Sequence, residues 1–106
     1  REWLEELKTY LRGNLDYARQ YLKEKLPMIK LVEPEGTYLI WLDCRALGLS
    51  AEELEHLIVH EAKLWLDRGV IFGAEGEGFE RINLACPRTV LAEALERLRA
   101  AVEARQ

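Results

Sequence analysis

A stripe of apolar residues at helical spacing runs through the first quarter of the chain. It predicts one amphipathic helix over residues 3–26, which Pro27 ends because proline cannot continue a helix. Gly13 and Asn14 lower the helix propensity in the middle, so a kink or two shorter helices is the alternative. The members of the stripe recur every three or four residues: Leu4, Leu7, Leu11, Leu15, Ala18 and Leu22.

Three tyrosines widen the apolar face of this predicted helix. Tyr10, Tyr17 and Tyr21 lie on or beside the stripe and give it more apolar surface than a domain of 106 residues is expected to cover. We therefore expect a partner surface to cover the excess. The chain also begins at Arg1, without a methionine and directly with this pattern, so we predict that it belongs to a longer polypeptide.

A strand and a well-marked helix are predicted next. Residues 28–34 are interpreted as a connector to residues 37–42, where β-branched and aromatic residues predict a strand buried on both faces. Ser50 and Glu53 match a capping box, in which hydroxyl and carboxylate each satisfy one backbone N–H at the start of a helix. That helix is predicted to end at residues 68–69. Its predicted apolar face comprises Leu54, Leu57, Ile58, Ala62, Trp65 and Leu66.

The last third of the sequence predicts a strand pair and a final helix. Residues 70–72 and 79–85 are predicted strands, and they are joined by the glycine-rich residues 73–78, whose glutamates would repel phosphate. Pro87 introduces a helix with an apolar stripe of its own. The element order predicts an α+β fold, with helices packed on a short, largely antiparallel sheet. The final stripe comprises Leu91, Leu95, Leu98 and Val102.

Composition narrows the classes of function. The net charge is -4 and the basic residues are scattered, which disfavours nucleic-acid binding because phosphates need clustered cations. No apolar run approaches the roughly 20 residues of a membrane-spanning helix, so no membrane partner is predicted. Cys44 and Cys86 are too few for a disulfide scaffold and are interpreted as small buried thiols in a reducing compartment, the cytoplasm.

The two histidines are a weak candidate for a metal site. His56 and His60 lie one helical turn apart, a spacing that can hold a metal ion. A third ligand is not evident in the sequence, and Leu57 stands where the zinc peptidase motif has glutamate. We therefore predict an exposed helix face and no metal.

Arg81 is the strongest candidate for a binding residue. It alternates with apolar neighbours, so a strand would hold its guanidinium in a fixed direction, and this planar group pairs with both oxygens of a carboxylate. The alternative from the residues alone is a solvated arginine in an ion pair of little energetic consequence.

Five blocks of sequence, in order, resemble the C-terminal part of class I/II pyridoxal-phosphate aminotransferases, within which the cystathionine β-lyase or carbon–sulfur lyase type is most similar. The resemblance covers essentially the whole chain. It implies that residues 1–106 are the small domain of a fold-type-I enzyme, that residues 1–26 are the long interdomain helix, and that the large cofactor-binding domain is absent. The blocks are residues 26–30, 34–43, 69–73, 76–79 and 81–88.

The resemblance also implies site residues. The family's arginine in the pattern Arg-x-Asn-x-Ala binds the substrate α-carboxylate, and Arg81 occupies that position. Gly36 and Tyr38 fall in the segment that borders the substrate entrance in the family. The catalytic and cofactor-binding residues belong to the family's large domain, so we expect none of them here. We also expect no pyridoxal phosphate bound to this chain and no activity of the chain alone.

The resemblance leaves three functions open. The parent enzyme is expected to use pyridoxal 5'-phosphate on an amino-acid substrate, as a homodimer, and to act as a carbon–sulfur β-lyase. A transaminase of the same family is the first alternative. The second alternative is a non-catalytic aminotransferase-like module of a regulator.

Overall fold

The computed structural model describes residues 2–32, 39–64, 72–74 and 78–105. Within these ranges, helices pack against one face of an antiparallel sheet and share one hydrophobic core with it. The predicted α+β class is confirmed. The helices and strands are α1 (Glu2–Lys25), β1 (Lys30–Val32), β2 (Leu39–Asp43), α2 (Ala51–His56), β3 (Phe72–Ala74), β4 (Phe79–Asn83) and α3 (Arg88–Ala104).

The first helix is one continuous element, so the prediction of a single helix is confirmed and the alternative of two shorter helices is wrong. α1 passes through Gly13 and Asn14 without a break. Tertiary contacts explain why both weak helix formers stand there. Asn14 is fully buried, and a Cβ at Gly13 would come within 2.6 Å of Nη2 of Arg88.

The sheet has the strand order β1-β2-β4-β3, and each neighbouring pair is antiparallel. β1 corrects the prediction that residues 28–34 form only a connector, because Lys30–Val32 pairs with β2 as an edge strand. A strand of three residues carries almost no pattern of its own. Its identity comes from pairing with a partner that follows later in the chain.

β2 buries one face rather than two. Ile40 and Leu42 are buried, whereas Leu39, Trp41 and Asp43 are only partly buried. The prediction of burial on both faces is therefore wrong, since large apolar residues occupy both faces but only one of them lies in the core. Residues 37–38 of the predicted strand lie outside the described residues.

The capping box at the start of α2 is confirmed. Oγ of Ser50 accepts a hydrogen bond from the backbone N–H of Glu53 at 3.1 Å, and the Glu53 carboxylate accepts one from the backbone N–H of Ser50 at 2.9 Å. α2 continues into a π-helical turn at Leu57–Glu61. Lys63 then takes a left-handed conformation with φ of 58°, which is incompatible with a continuing helix. The predicted end at residues 68–69 is therefore wrong, and residues 65–71 lie outside the described residues.

The strand pair and the final helix are confirmed with shifted bounds. β3 and β4 are antiparallel neighbours, but β3 includes Gly73 and Ala74, which were predicted to lie in the loop. β4 ends at Asn83 rather than at residue 85. Pro87 is the N-cap residue of α3, and the predicted apolar stripe of this helix is buried. Among the described residues, no helix has the length and apolarity needed to cross a membrane.

Candidate functional site

The face of the sheet opposite the core, here called the open face, carries one row of residues across all four strands. Val32 pairs with Trp41, Trp41 pairs with Arg81, and Arg81 pairs with Gly73. Val32 and Arg81 are exposed, and Trp41 is half-buried. The register therefore places a cation beside an aromatic residue on a surface that the described helices leave open.

Arg81 lies where its backbone is held from both sides. β4 is an interior strand, and the neighbours of Arg81 are Trp41 on β2 and Gly73 on β3. Its side chain is exposed and makes no hydrogen bond or ion pair with the other residues that the structure describes. A guanidinium in this setting retains its donors for an external acceptor, and a carboxylate matches their geometry.

The surroundings of Arg81 differ on its two sides. On the β2 side stands the large indole of Trp41, whereas on the β3 side stands a glycine, which has no side chain. The indole of Trp41 therefore bounds the space beside Arg81 on the β2 side. On the β3 side, the paired residue Gly73 does not fill it.

A polar junction between α1 and the β4–α3 connection was missed by reasoning from the sequence. The amide nitrogen of Asn14 donates to the carbonyl oxygens of Leu84 at 2.8 Å and Cys86 at 2.9 Å, and its oxygen accepts from Nε of Arg88. The hydroxyl of Tyr10 donates to the Cys86 carbonyl at 3.1 Å and accepts from the backbone N–H of Arg88 at 2.6 Å. The guanidinium of Arg88 also lies over the ring of Tyr10, 5.3 Å from its centroid. This network, here called the Asn14 junction, fixes where β4 leaves the sheet.

A signal for the junction exists in the sequence. Asn14 lies three residues after Leu11 and four before Ala18, so it stands on the apolar stripe of α1. A polar residue on a buried stripe needs hydrogen-bond partners, because an unpaired buried amide is costly.

Glu80 precedes Arg81 in sequence but points into the core. It is 3% exposed and pairs across the sheet with Leu42 and Ala74. Burial, and then the charge of Glu55, raise the pKa of Glu80 to about 7. Its carboxyl group therefore lies in the core and does not belong to the open face.

Known proteins with similar sequences identify the family of the chain. The chain is 41% identical to cystathionine beta-lyase PatB of Bacillus subtilis over 94% of its own length, and 30% identical to an aspartate aminotransferase of Pyrococcus horikoshii over 94%. The solved structure of cystalysin from Treponema denticola, which contains a pyridoxal 5'-phosphate cofactor, matches 99% of the chain with a TM-score of 0.84 and 39% identity. The chain belongs to the family of pyridoxal-phosphate aminotransferases and carbon–sulfur lyases. No family model matches the sequence.

The chain spans about a quarter of the length of these family members. It covers 26% of the Bacillus lyase, 25% of the Pyrococcus aminotransferase and 27% of cystalysin. The resemblance stated from sequence blocks is confirmed, and so is the α+β fold, which the chain shares with the matching part of cystalysin. Gly36 and Tyr38, the other two predicted site residues, lie outside the described residues.

The described residues do not fit a pyridoxal-phosphate site by themselves. A covalent link to this cofactor needs a lysine held near it. All five lysines of this family member are exposed, on α1, on the edge strand β1 or after the π-helical turn. They are Lys8, Lys23, Lys25, Lys30 and Lys63.

The cysteines lack the features of reactive thiols. Cys44 is buried, and burial first, then the charges of Glu80 and Asp43, raise its pKa to about 12. Cys86 is only partly buried, which corrects its interpretation as a buried thiol, and burial raises its pKa as well. Both are free cysteines, and a raised pKa keeps each in the protonated form that is a poor nucleophile.

The histidine pair lies on an exposed surface, as predicted. The ring centroids of His56 and His60 are 4.9 Å apart, and Nδ1 of His56 is 3.3 Å from the Glu61 carboxylate. The same carboxylate accepts from Arg105 at 2.8 Å. In the described ranges, no group of three potential ligands lies close enough together to hold a metal ion.

Proposed function

We propose that residues 1–106 form the C-terminal small domain of a pyridoxal-phosphate-dependent carbon–sulfur lyase, with residues 1–26 as the helix leading from a large cofactor-binding domain. The match to about a quarter of each relative supports this assignment. In that enzyme, Arg81 binds the α-carboxylate of an amino-acid substrate. The observation that carries this role is an exposed guanidinium on an interior strand, beside a glycine and without an internal partner among the described residues.

Arg81 contributes orientation to the reaction. Pyridoxal phosphate, when bound by the complete enzyme, withdraws electrons from the substrate Cα and thereby supplies the chemistry. A bidentate pair with Arg81 fixes the carboxylate and with it the direction of the bonds at Cα. Positioning of this kind can lower a barrier by several kcal/mol, on the order of a thousandfold in rate.

A carbon–sulfur lyase is preferred over a transaminase because, among the curated relatives, a cystathionine β-lyase is 41% identical and an aspartate aminotransferase 30% identical, although the solved structure of a putative aminotransferase from Clostridium difficile is 45% identical. Both functions use the same arginine. They differ in the product, because a β-lyase releases a thiol, pyruvate and ammonia, whereas a transaminase exchanges amino and keto groups.

The partner of α1 in this proposal is the large domain of the same polypeptide. The N-terminal half of α1 carries exposed apolar side chains, among them Trp3 at 71%, Leu4 at 43% and Tyr10 at 39%. A packed domain would remove this surface from water. We further propose a homodimer in the cytoplasm, where the two free cysteines stay reduced, with no nucleic-acid or membrane partner.

The experiment is an assay of the complete enzyme encoded with this chain. Pyruvate formed from L-cystathionine is measured against the conversion of 2-oxoglutarate to glutamate with aspartate as the amino donor. Pyruvate formation in excess of keto-group exchange is expected. Exchange without pyruvate would replace the lyase with the transaminase, and the absence of both activities would reject the proposed function.

A further inference from the structure

We propose that Trp41 is a second substrate-contacting residue, one that forms a wall of the amino-acid site and shields the Arg81–carboxylate pair from water. This inference rests on the proposed function. Its basis is the sheet register, which pairs Trp41 directly with Arg81, and the half-buried state of an indole on the open face.

The geometry brings the two side chains to the same ligand. Directly paired residues of antiparallel strands have Cβ atoms about 4.5–5.5 Å apart and project from the same face of the sheet. An indole reaches farther from the sheet than this separation, so it bounds the space over Arg81 on the β2 side. On the β3 side, the residue paired with Arg81 is Gly73, which contributes no side chain. A carboxylate bound to Arg81 would therefore have the indole of Trp41 on one side, and the substrate would enter from the side of Gly73.

The wall changes the strength of the charge pair. A pair of opposite charges in open water is weak and is screened by salt, whereas removing water strengthens the pair and reduces screening. Trp41 therefore excludes water at Arg81, which the exposed strand surface alone does not do. Loss of the indole should weaken substrate binding and leave the remaining pair more sensitive to ionic strength.

The same row contains a matched control. Val32 pairs with Trp41 on its far side and is 43% exposed, so it belongs to the open face but is one strand farther from Arg81. If Trp41 acted only through packing within the sheet, Trp41→Ala and Val32→Ala would both affect stability and neither would change substrate affinity selectively.

The experiment compares Trp41→Ala, Trp41→Phe, Val32→Ala and Arg81→Ala in the complete enzyme with L-cystathionine as substrate. For Trp41→Ala we expect KM to rise roughly tenfold, kcat to change less, and kcat/KM to fall more steeply with added NaCl than in the parent. Trp41→Phe should restore most of the affinity and the salt response, because a phenyl ring also excludes water. Val32→Ala should retain both.

The outcomes separate this inference from the proposed function. If Arg81→Ala keeps the parent kcat/KM, the role of Arg81 as the carboxylate ligand in the proposed function fails, and the inference fails with it. If Arg81→Ala is impaired while Trp41→Ala keeps the parent KM and salt response, only the inference is overturned. Should Trp41→Ala not fold, inhibition of Trp41→Phe and Trp41→Leu by propionate decides: weaker inhibition of the Leu variant supports the wall, and equal inhibition overturns it.

Discussion

Glu80 and Arg81 are consecutive residues whose charged groups lie on opposite faces of β4. Arg81 is exposed on the open face, whereas Glu80 is 3% exposed and faces the core. The alternation of side chains along a strand produces this separation, so the two groups do not neutralise each other. An exposed cation is thereby presented to solvent, and a carboxyl group is left in an apolar environment.

The buried carboxyl group predicts a loss of stability toward neutral pH. Burial, followed by the charge of Glu55, raises the pKa of Glu80 from 4.5 to about 7. The pKa of Glu80 is higher in the folded than in the unfolded chain. Its contribution to the free energy of unfolding is therefore fully present below pH 4.5 and is lost as the pH rises through about 7. The full loss is on the order of 3 kcal/mol. Urea denaturation at several pH values between 4 and 8, followed by circular dichroism, measures it.

Glu80→Gln removes this titration and should flatten the dependence of stability on pH across that window. Glu52→Gln is the matched control, because Glu52 is an exposed glutamate on α2. The prediction would be contradicted if the difference in unfolding free energy between the parent chain and Glu80→Gln were the same at pH 8 as at pH 4.5.

Arg81→Lys should impair the complete enzyme even though it keeps the positive charge. Lysine lacks the planar pair of donors that binds both carboxylate oxygens, so KM should rise and kcat/KM should fall by roughly 30-fold. Steady-state kinetics with L-cystathionine measures the change. Arg99→Lys serves as the control, because Arg99 pairs with Glu96 and Glu103 on α3. Unchanged kinetics of Arg81→Lys would remove Arg81 as the carboxylate ligand.

The sequence alone predicted those elements whose pattern is local. The stripe of α1, the capping box at Ser50 and the helix after Pro87 each depend on residues a few positions apart, and each is confirmed. Arg81 could be proposed as a binding residue because alternation in a strand is also a local pattern.

The missed features depend on distant parts of the chain. β1 is defined by pairing with β2, and the partners of Asn14 lie 70 and 72 residues away in sequence. Trp41 and Gly73 became neighbours of Arg81 only through the register of three strands. Periodicity shows which face of an element is apolar but not which residues of another element it meets, so these contacts required the structure.

The Asn14 junction predicts a specific cost for losing one buried amide. Asn14→Ala removes the donor to the carbonyls of Leu84 and Cys86 and the acceptor for Nε of Arg88, although each carbonyl keeps one other hydrogen bond. We expect the free energy of unfolding to fall by about 2 kcal/mol. Urea denaturation of the chain measures the change. Gln20→Ala, an exposed amide on the same helix, should change stability by less than about 0.5 kcal/mol, and equal effects of the two substitutions would contradict a structural role for the junction.

Two glycines with left-handed backbone conformations allow the cost of backbone strain to be measured separately from the cost of side-chain crowding. Gly78, before β4, has φ of 84°, and Gly48, after the turn at Arg45–Leu47, has φ of 72°. A Cβ at Gly78 would come within 2.6 Å of Cγ of Arg45, whereas a Cβ at Gly48 would meet nothing within 4 Å. Gly48→Ala should therefore cost only the backbone strain, about 1 kcal/mol, and Gly78→Ala about 1 kcal/mol more.

The added cost at Gly78 has a structural cause that can be observed. Arg45 binds Asp43 through Nε at 2.9 Å and Nη2 at 2.8 Å, and its guanidinium lies 5.0 Å from the ring centroid of Phe79. Displacing Cγ of Arg45 would break both contacts and release the Asp43 carboxyl, whose pKa the hydrogen bonds from Arg45 lower to about 2. NMR titration of Asp43 in Gly78→Ala should therefore give a higher pKa, while Gly48→Ala should leave it low. Equal unfolding free energies and equal Asp43 titrations in the two variants would show that Arg45 does not crowd Gly78.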